Sequence, residues 1–194
     1  SLYEKFTKRF LDIVLSFLAI IILLPLFLIV SLLSFIFMGR DIILKQYRPG
    51  KNGKIFTLYK FRTMKNLYDE NGDLLPDEKR FTKYGRILRK TSLDELPQFF
   101  NVLKGDMSLV GPRPEIPFHV EHFKEEIPRY LVRQQVRPGL TGWAQINGLR
   151  GDTDIAERIR YDIWYIENWT VALDIKILFR TVFGGKMVND EKIQ

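Results

Sequence analysis

The chain has 194 residues, enough to bury the core of one domain. It carries 30 lysine and arginine residues against 23 acidic residues, and this formal net charge of +7 indicates an anionic partner. It contains no cysteine, which excludes disulfide bonds and thiolate metal sites.

A long uncharged segment begins the chain. No charged residue occurs from residue 13 to residue 38, and such a run is long enough for a bilayer span. Pro25 lies in its middle and breaks helical hydrogen bonding there. Basic residues flank both ends, so the positive-inside tendency places both ends on the cytoplasmic side. We therefore predict a helix broken at Pro25 that enters one leaflet and returns, in preference to a span or a buried core helix. The flanking basic residues are Lys5, Lys8, Arg9, Arg40, Lys45 and Arg48.

A basic hairpin is predicted next. Residues 41–48 and 54–62 resemble strands and flank a loop of turn-forming residues. Residues 40–65 carry eight basic side chains and one acidic side chain. This stretch is either a solvated surface or a face that meets phosphates and anionic headgroups. Lys60 and Arg62 are expected to share one face of the second strand.

Two adjacent carboxylates, Asp94 and Glu95, are the strongest chemical signal. Ser92 and Glu95 have capping-box spacing, which predicts that a helix starts at Ser92 and ends near Gly105. Neighbouring helix positions diverge by about 100°, so one carboxylate can point into a site while the other supports it. Acidic residues that merely stabilise a helix N-terminus are the alternative.

Three arginines near this stretch are candidates for phosphate binding. A short basic helix predicted just before the carboxylates delivers Arg89, whose charge would also lower a carboxylate pKa. A Gly-Pro-Arg-Pro turn restricts the backbone around Arg113, and a guanidinium suits bidentate phosphate recognition. A glycine-rich loop at residues 136–148 carries Arg137, although it matches neither a P-loop nor a dinucleotide-binding fingerprint. Solvated surface arginines are the alternative.

Two helices are expected near the C-terminus. Residues 154–168 form an amphipathic pattern, with isoleucines on roughly one side. Residues 169–183 mix aromatic, aliphatic and basic side chains. Core packing explains the second pattern, and so does a helix lying at a membrane interface.

Taken in order, these features resemble the bacterial sugar transferase family, the monotopic phosphoglycosyl transferases. The resemblance runs through nearly the whole chain. Its motifs are Tyr-Arg-Pro-Gly at residues 47–50, Tyr-Lys-Phe-Arg-Thr-Met at 59–64, the Asp-Glu stretch at 91–98, Asn-Val-Leu-Lys-Gly-Asp-Met-Ser at 101–108, Gly-Pro-Arg-Pro at 111–114, Val-Arg-Pro-Gly at 136–139, Thr-Gly-Trp-Ala-Gln-Ile-Asn-Gly at 141–148 and Leu-Asp-Ile-Lys at 173–176.

The resemblance implies an architecture and a location. The fold class is α+β, with a re-entrant helix-kink-helix over residues 1–40 and a catalytic domain over residues 41–194. That domain would hold a small β-hairpin sheet and amphipathic helices at the membrane interface. The chain would be monotopic, on the cytoplasmic face of the bacterial inner membrane. Because it lacks the additional N-terminal spanning helices of larger relatives, we expect the minimal catalytic form.

The resemblance also implies a reaction. Such enzymes move a sugar-1-phosphate from a UDP-sugar to a polyprenyl phosphate, typically undecaprenyl phosphate, and release UMP with the help of Mg²⁺. Asp94 would be the nucleophile that takes the phospho-sugar covalently and a ligand of the metal, with Glu95 as its partner. Lys60 and Arg113 would hold phosphate, and we add Arg89 and Arg137 from their positions. Residues 147–153 are closest to transferases of the glucose or galactose kind.

The sequence and the resemblance together also predict partners and leave competing functions open. UDP-sugar, polyprenyl phosphate and membrane lipid are the expected partners, and a homodimer is an option that the sequence leaves open. A non-catalytic membrane scaffold that binds anionic lipid is the first alternative function. Nucleic-acid binding is the second, but no recognised nucleic-acid module is present, so we expect no nucleic-acid partner.

Overall fold

A long apolar helix is the first element. The computed structural model describes residues 2–151 and 153–184, with side chains from residue 6 onward, and its helix α1 spans Leu2–Met38. Pro25 lies inside this helix. The predicted helical segments on both sides of Pro25 are present, but no non-helical residue separates them. Because proline has no backbone N–H group, one helical hydrogen bond is missing inside α1 at this position.

One stripe of α1 packs against the rest of the protein. The stripe recurs every three or four residues, which is the spacing of one helix face. Only 11% of the most apolar 18-residue stretch of α1 is buried. By length and composition, α1 is the one helix in the described chain that could cross a membrane. The buried members of the stripe are Asp12, Ser16, Phe27, Val30 and Ser34.

Both ends of α1 contact the same domain. Near its start, the guanidinium of Arg9 donates hydrogen bonds to the carbonyl oxygens of Val102 and Leu103, at 2.6 and 2.7 Å. Near its end, the hydroxyl groups of Ser34 and Tyr84 lie 2.9 Å apart. The helix therefore lies along the domain over most of its length.

The predicted hairpin is present. Its antiparallel register pairs Gln46 with Leu58 and Leu44 with Lys60. Because directly paired residues of antiparallel strands project to the same side, positions 44, 46 and 48 share one face with positions 56, 58 and 60. The bounds are Ile43–Pro49 for β1, Ile55–Phe61 for β2 and Lys51–Gly53 for the 3-10 turn between them.

The carboxylate pair lies in a turn and not at the start of the predicted helix. Ser92 adopts a left-handed conformation, with φ of 57°, and its side chain forms no cap hydrogen bond. The predicted capping box is therefore wrong, because the Glu95 carboxylate binds cationic side chains instead of a backbone N–H group. The bounds here are Asp77–Arg80 for α2, Lys83–Lys90 for α3, Leu93–Glu95 for the 3-10 turn and Gln98–Lys104 for α4.

Two short parallel strands, which the sequence did not predict, form a second sheet. Strand β3 (Ser108–Val110) pairs with β4 (Gly139–Thr141). A Cβ atom on Gly139 would lie 2.1 Å from the backbone nitrogen of Gly111. The glycine therefore permits close packing of two backbone segments.

The C-terminal third is helical. The predicted amphipathic helix is present as α7, and the side chain of Asp154 caps it by accepting a hydrogen bond from the backbone N–H of Glu157 at 3.1 Å. The bounds are Pro117–Glu126 for α5, Tyr130–Gln135 for a 3-10 segment, Trp143–Ile146 for α6, Ile155–Glu167 for α7 and Val171–Phe183 for α8.

The main core lies between the hairpin, α4, β3 and α8. Val102, Met107 and Ile177 are fully buried in it. Burying each such side chain contributes roughly 1.5–3 kcal/mol. This core packs the hairpin against α4, and a second cluster, which includes Phe61 and Leu96, packs the hairpin against the carboxylate turn.

Candidate active site

The hairpin, the carboxylate turn and the turn that carries Arg113 enclose a cavity of about 240 Å³. Five cationic and three acidic side chains line it. An excess of fixed positive charge in a confined space suits an anionic ligand. The described lining residues are Gln46, Arg48, Leu58, Lys60, Arg89, Asp94, Glu95, Gln98, Arg113, Pro114, Glu115, Gly151 and Arg158.

Glu95 is held by three cations. Its Oε1 atom lies 2.8 Å from Nη2 of Arg113 and 3.3 Å from Nζ of Lys60, and its Oε2 atom lies 3.2 Å from Nη2 of Arg150. Burial by itself would raise the pKa of Glu95, but Arg113, Lys60 and Arg150 outweigh it and lower that pKa below the usual range. Glu95 is therefore a fixed anion that holds the cations in place.

Asp94 is buried beside Glu95 but has a different environment. Its Oδ1 atom accepts no hydrogen bond from any residue that the structure describes. Burial raises the pKa of Asp94 to about 6; the charge of Glu95 adds to the rise, and Lys60 and Arg89 oppose it. A carboxylate that is poorly solvated and unbonded at one oxygen is a suitable nucleophile.

The structure brings three of the four predicted phosphate contacts to this cavity. Lys60, Arg89 and Arg113 line it, and the Arg89 guanidinium stacks over the ring of Phe81 at 4.7 Å. Arg137 does not line the cavity, because its Nε donates a hydrogen bond to the carbonyl oxygen of Gly105 at 2.8 Å, at the end of α4. The glycine-rich loop thus uses its one cation for packing.

Several residues in and around the cavity were missed by sequence reasoning. Gln46 and Arg48 could have been found, since strand alternation places them on the face that carries Lys60. Arg150 and Arg158 offer no local signal in the sequence, because a tertiary contact alone brings them to the acidic side chains.

The residues present suit a divalent metal ion bound together with a diphosphate. Among the described residues no group of three or more potential ligands is clustered. The free Oδ1 atom of Asp94 is nevertheless the kind of ligand that Mg²⁺ takes, and Mg²⁺ usually combines one or two carboxylates with substrate phosphates. Asp94 would hold the ion, which would neutralise phosphate charge when bound.

Comparison with known proteins finds a matching family and related chains. The family model described as bacterial sugar transferase matches residues 3–186. The chain is 52% identical over 156 residues to the uncharacterized sugar transferase EpsL of Bacillus subtilis (strain 168). This alignment covers 80% of the chain and 74% of EpsL.

Two further relatives carry names that state a reaction. One is the UDP-glucose:undecaprenyl-phosphate glucose-1-phosphate transferase of Escherichia coli (strain K12), 44% identical over 94% of this chain and 40% of that protein. The other is the UDP-N-acetylgalactosamine-undecaprenyl-phosphate N-acetylgalactosaminephosphotransferase of Aeromonas hydrophila, 42% identical over 91% of this chain and 43% of that protein. The chain thus spans less than half the length of these two relatives.

Proposed function

The chain belongs to the bacterial sugar transferase family, and from this premise we propose that it moves a sugar-1-phosphate from a UDP-sugar to a polyprenyl phosphate, releasing UMP. Undecaprenyl phosphate is the acceptor that the names of two relatives print. A donor sugar of the glucose or galactose kind follows from the stretch at residues 147–153, of which Asp152 lies outside the described residues.

One observation carries the proposal. Asp94 presents a buried carboxylate oxygen without a partner in the described chain, beside a glutamate that holds Lys60 and Arg113 in the same cavity. A nucleophile next to fixed cations is what attack on a diphosphate requires, because like-charge repulsion otherwise keeps the two anions apart.

The first step forms a covalent intermediate. A carboxylate oxygen of Asp94 bonds to the phosphorus that carries the sugar, and the bond from that phosphorus to the oxygen bridging the two phosphates breaks. The electron pair leaves with the bridging oxygen as UMP. Lys60, Arg89 and Arg113 stabilise the charge that develops on the phosphate oxygens and on the leaving group.

The second step returns the enzyme to its starting state. A phosphate oxygen of the polyprenyl phosphate attacks the same phosphorus, and the bond to Asp94 breaks. The product is a polyprenyl diphosphate sugar, and the Asp94 carboxylate is free again. Splitting the transfer in two allows a soluble donor and a membrane-bound acceptor to react in turn at one carboxylate.

Attachment to the membrane is also part of the proposal. The outer side of α1 is apolar and exposed, and both ends of α1 contact the same domain. This favours a monotopic protein over a chain that crosses the bilayer. From the basic residues on both flanks of the apolar segment we propose the cytoplasmic face of the bacterial inner membrane. Whether the helix bends at Pro25 within a leaflet, and whether two copies associate, stay predictions.

The test measures UMP release from a panel of UDP-sugars in the presence of undecaprenyl phosphate and Mg²⁺. Wild-type protein is expected to release UMP with at least one donor, and Asp94→Asn is expected to lose at least about a thousandfold in rate, since an amide is not a nucleophile here. Asp73→Asn, in an exposed turn, is the matched control and should keep the wild-type rate.

A mass measurement separates the covalent route from direct transfer. Protein incubated with UDP-sugar and Mg²⁺, without lipid acceptor, should gain the mass of one sugar phosphate on the peptide that contains Asp94. UMP formation that strictly requires the acceptor, with no adduct, would exclude the intermediate. If Asp94→Asn kept full activity, Asp94 would not be the nucleophile. If no donor released UMP from the wild-type protein, the membrane-scaffold alternative would be favoured.

A further inference from the structure

The cavity has a second pole that the transfer step does not use. Glu115 and Arg158 line it, with Oε2 of Glu115 3.3 Å from Nη1 of Arg158. Here a carboxylate compensates the cation, whereas cations predominate around Glu95. A compensated pole is a poor place for a second phosphate and a good one for a neutral polar group.

Two chain segments connect this pole to the phosphate end. Arg113 contacts Glu95, and Glu115 lies two residues after Arg113 in the chain. Arg150 contacts Glu95 from another direction, and the next residue, Gly151, accepts a hydrogen bond from Nη2 of Arg158 through its carbonyl oxygen. Two residues of extended chain reach at most about 7 Å. The Cα atoms of Arg113 and Glu115 are therefore at most about 7 Å apart, and both side chains line the same cavity.

The pair is rigidly held. Nη2 of Arg158 also donates to the hydroxyl group of Thr153 at 3.1 Å, and Oε1 of Glu115 accepts from the backbone N–H of Ile116 at 3.2 Å. The side chain of Arg158 is only 7% exposed and that of Glu115 is 20% exposed. A carboxylate has about four acceptor positions, so Glu115 can still accept hydrogen bonds from a ligand.

A neighbouring ion pair supports the turn that carries Arg113. Nη2 of Arg133 lies 2.9 Å from Oδ2 of Asp162, and their side chains are 5% and 3% exposed. Neither residue lines the cavity. The same Arg133 nitrogen donates to the carbonyl oxygen of Arg113 at 2.7 Å, so this inner pair supports the turn. The inner pair thus lies outside this cavity, whereas Glu115 and Arg158 line it and can reach a ligand.

We propose that Glu115 and Arg158 recognise the donor sugar, with hydrogen bonds to its hydroxyl groups that decide which hexose the enzyme accepts. The proposal rests on the function proposed above and concerns the same cavity. A buried polar site discriminates strongly among ligands because a wrong arrangement of hydroxyl groups leaves its own polar atoms unpaired.

The experiment compares donors and nucleotides on the same variants. Glu115→Gln and Arg158→Lys are assayed for kcat/KM of UMP release with UDP-glucose, UDP-galactose and their N-acetylamino counterparts, and for affinity for UDP by calorimetry. Each variant should reduce the ratio between the best and second-best donor by about 10-fold or more. UDP affinity should stay at the wild-type value, because UDP lacks the sugar.

Glu121→Gln is the matched control. Glu121 lies on α5 with a side chain 70% exposed, and it pairs only with the neighbouring Lys124 among the described residues. This variant should keep both the donor ratio and the UDP affinity. Arg158→Lys retains the positive charge, so it decides the question if Glu115→Gln fails to fold.

The contrary outcomes are distinct. An equal loss of kcat/KM with every donor would assign the pair a structural role, and weaker UDP binding would assign it to the nucleotide. An unchanged donor ratio would also overturn the proposal. If wild-type protein binds UDP but releases no UMP from any donor, the proposed function fails instead; specificity is then read from the affinities for the intact UDP-sugars.

Discussion

Asp94 and Glu95 are adjacent in the chain but have opposite electrostatic environments. Glu95 contacts three cations, which lower its pKa, whereas burial raises the pKa of Asp94 to about 6. The 3-10 turn at Leu93–Glu95 points the longer side chain at the cations and leaves Oδ1 of Asp94 without a partner in the described chain. One residue thus organises charge, while the other keeps a reactive oxygen.

The raised pKa of Asp94 predicts the pH dependence of adduct formation. Only the ionised carboxylate is a nucleophile, so the kcat/KM for formation of the phospho-sugar adduct should rise about tenfold per pH unit below a pKa of about 6 and level off above it. Single-turnover measurements between pH 4.5 and 8 give this profile. A flat profile through pH 6 would contradict the assignment of Asp94 as nucleophile.

The same pKa predicts a stability effect of the opposite sign. An acid whose folded pKa exceeds its unfolded value of 3.8 loses stability as pH rises from about 4 through 6. Asp94→Asn removes the buried charge, so at pH 8 it should raise the free energy of unfolding by about 1–3 kcal/mol. The gain should disappear near pH 4, and thermal unfolding at the two pH values measures the difference.

At the scale of elements, helix α1 bears most on how the chain is placed relative to a membrane. Its length and apolarity are those of a membrane span, yet Arg9 contacts the end of α4 and Ser34 contacts Tyr84 of α3. We expect a helix whose two ends both bind one polar domain to keep those ends on one side of a bilayer. The contacts therefore support the topology that charge symmetry predicts.

Cysteine labelling tests this topology without background, because the chain has no cysteine. In inverted membrane vesicles, cysteines that replace Ser1 and Lys45 should both react with an impermeant maleimide added outside, where the cytoplasmic face is exposed. A cysteine in place of Leu24, half exposed beside Pro25, should be protected by lipid. Labelling of position 1 and position 45 from opposite sides would make α1 a true span.

For the whole molecule, exposed apolar surface is concentrated on two helices. Besides α1, helix α8 presents Phe179 and Phe183, which are 63% and 71% exposed. Such surface is unfavourable in water, so α8 fits the interface-lying helix that the sequence suggested as one alternative. Its other side packs in the core through Ile177.

Spin labels test the contact of α8 with lipid. Nitroxides on Phe179→Cys and Phe183→Cys in vesicles should be more accessible to oxygen, which dissolves in lipid, than to a water-soluble nickel complex. A label on Arg160→Cys, exposed on α7, is the control and should show the reverse preference. If the labels on α8 behaved like the control, α8 would not lie in the membrane.

Part of the site was readable from the sequence because its signals are local. Apolar periodicity identified α7, turn residues identified the hairpin, and adjacent carboxylates near basic residues identified Asp94 and Glu95. The predicted capping box was wrong because tertiary ion pairs with Lys60, Arg113 and Arg150 outweigh a local hydrogen bond to Glu95.

By itself the sequence determined the family, the apolar helix, the hairpin and the carboxylate pair, since each depends on order, composition or short spacing along the chain. Only the tertiary structure decided which cations reach that pair. Arg150 lies 55 residues from Glu95 in the chain, and Arg137 turns instead to the carbonyl oxygen of Gly105. The physical reason is that charge interactions depend on distance in space, and folding alone sets that distance for residues far apart in sequence.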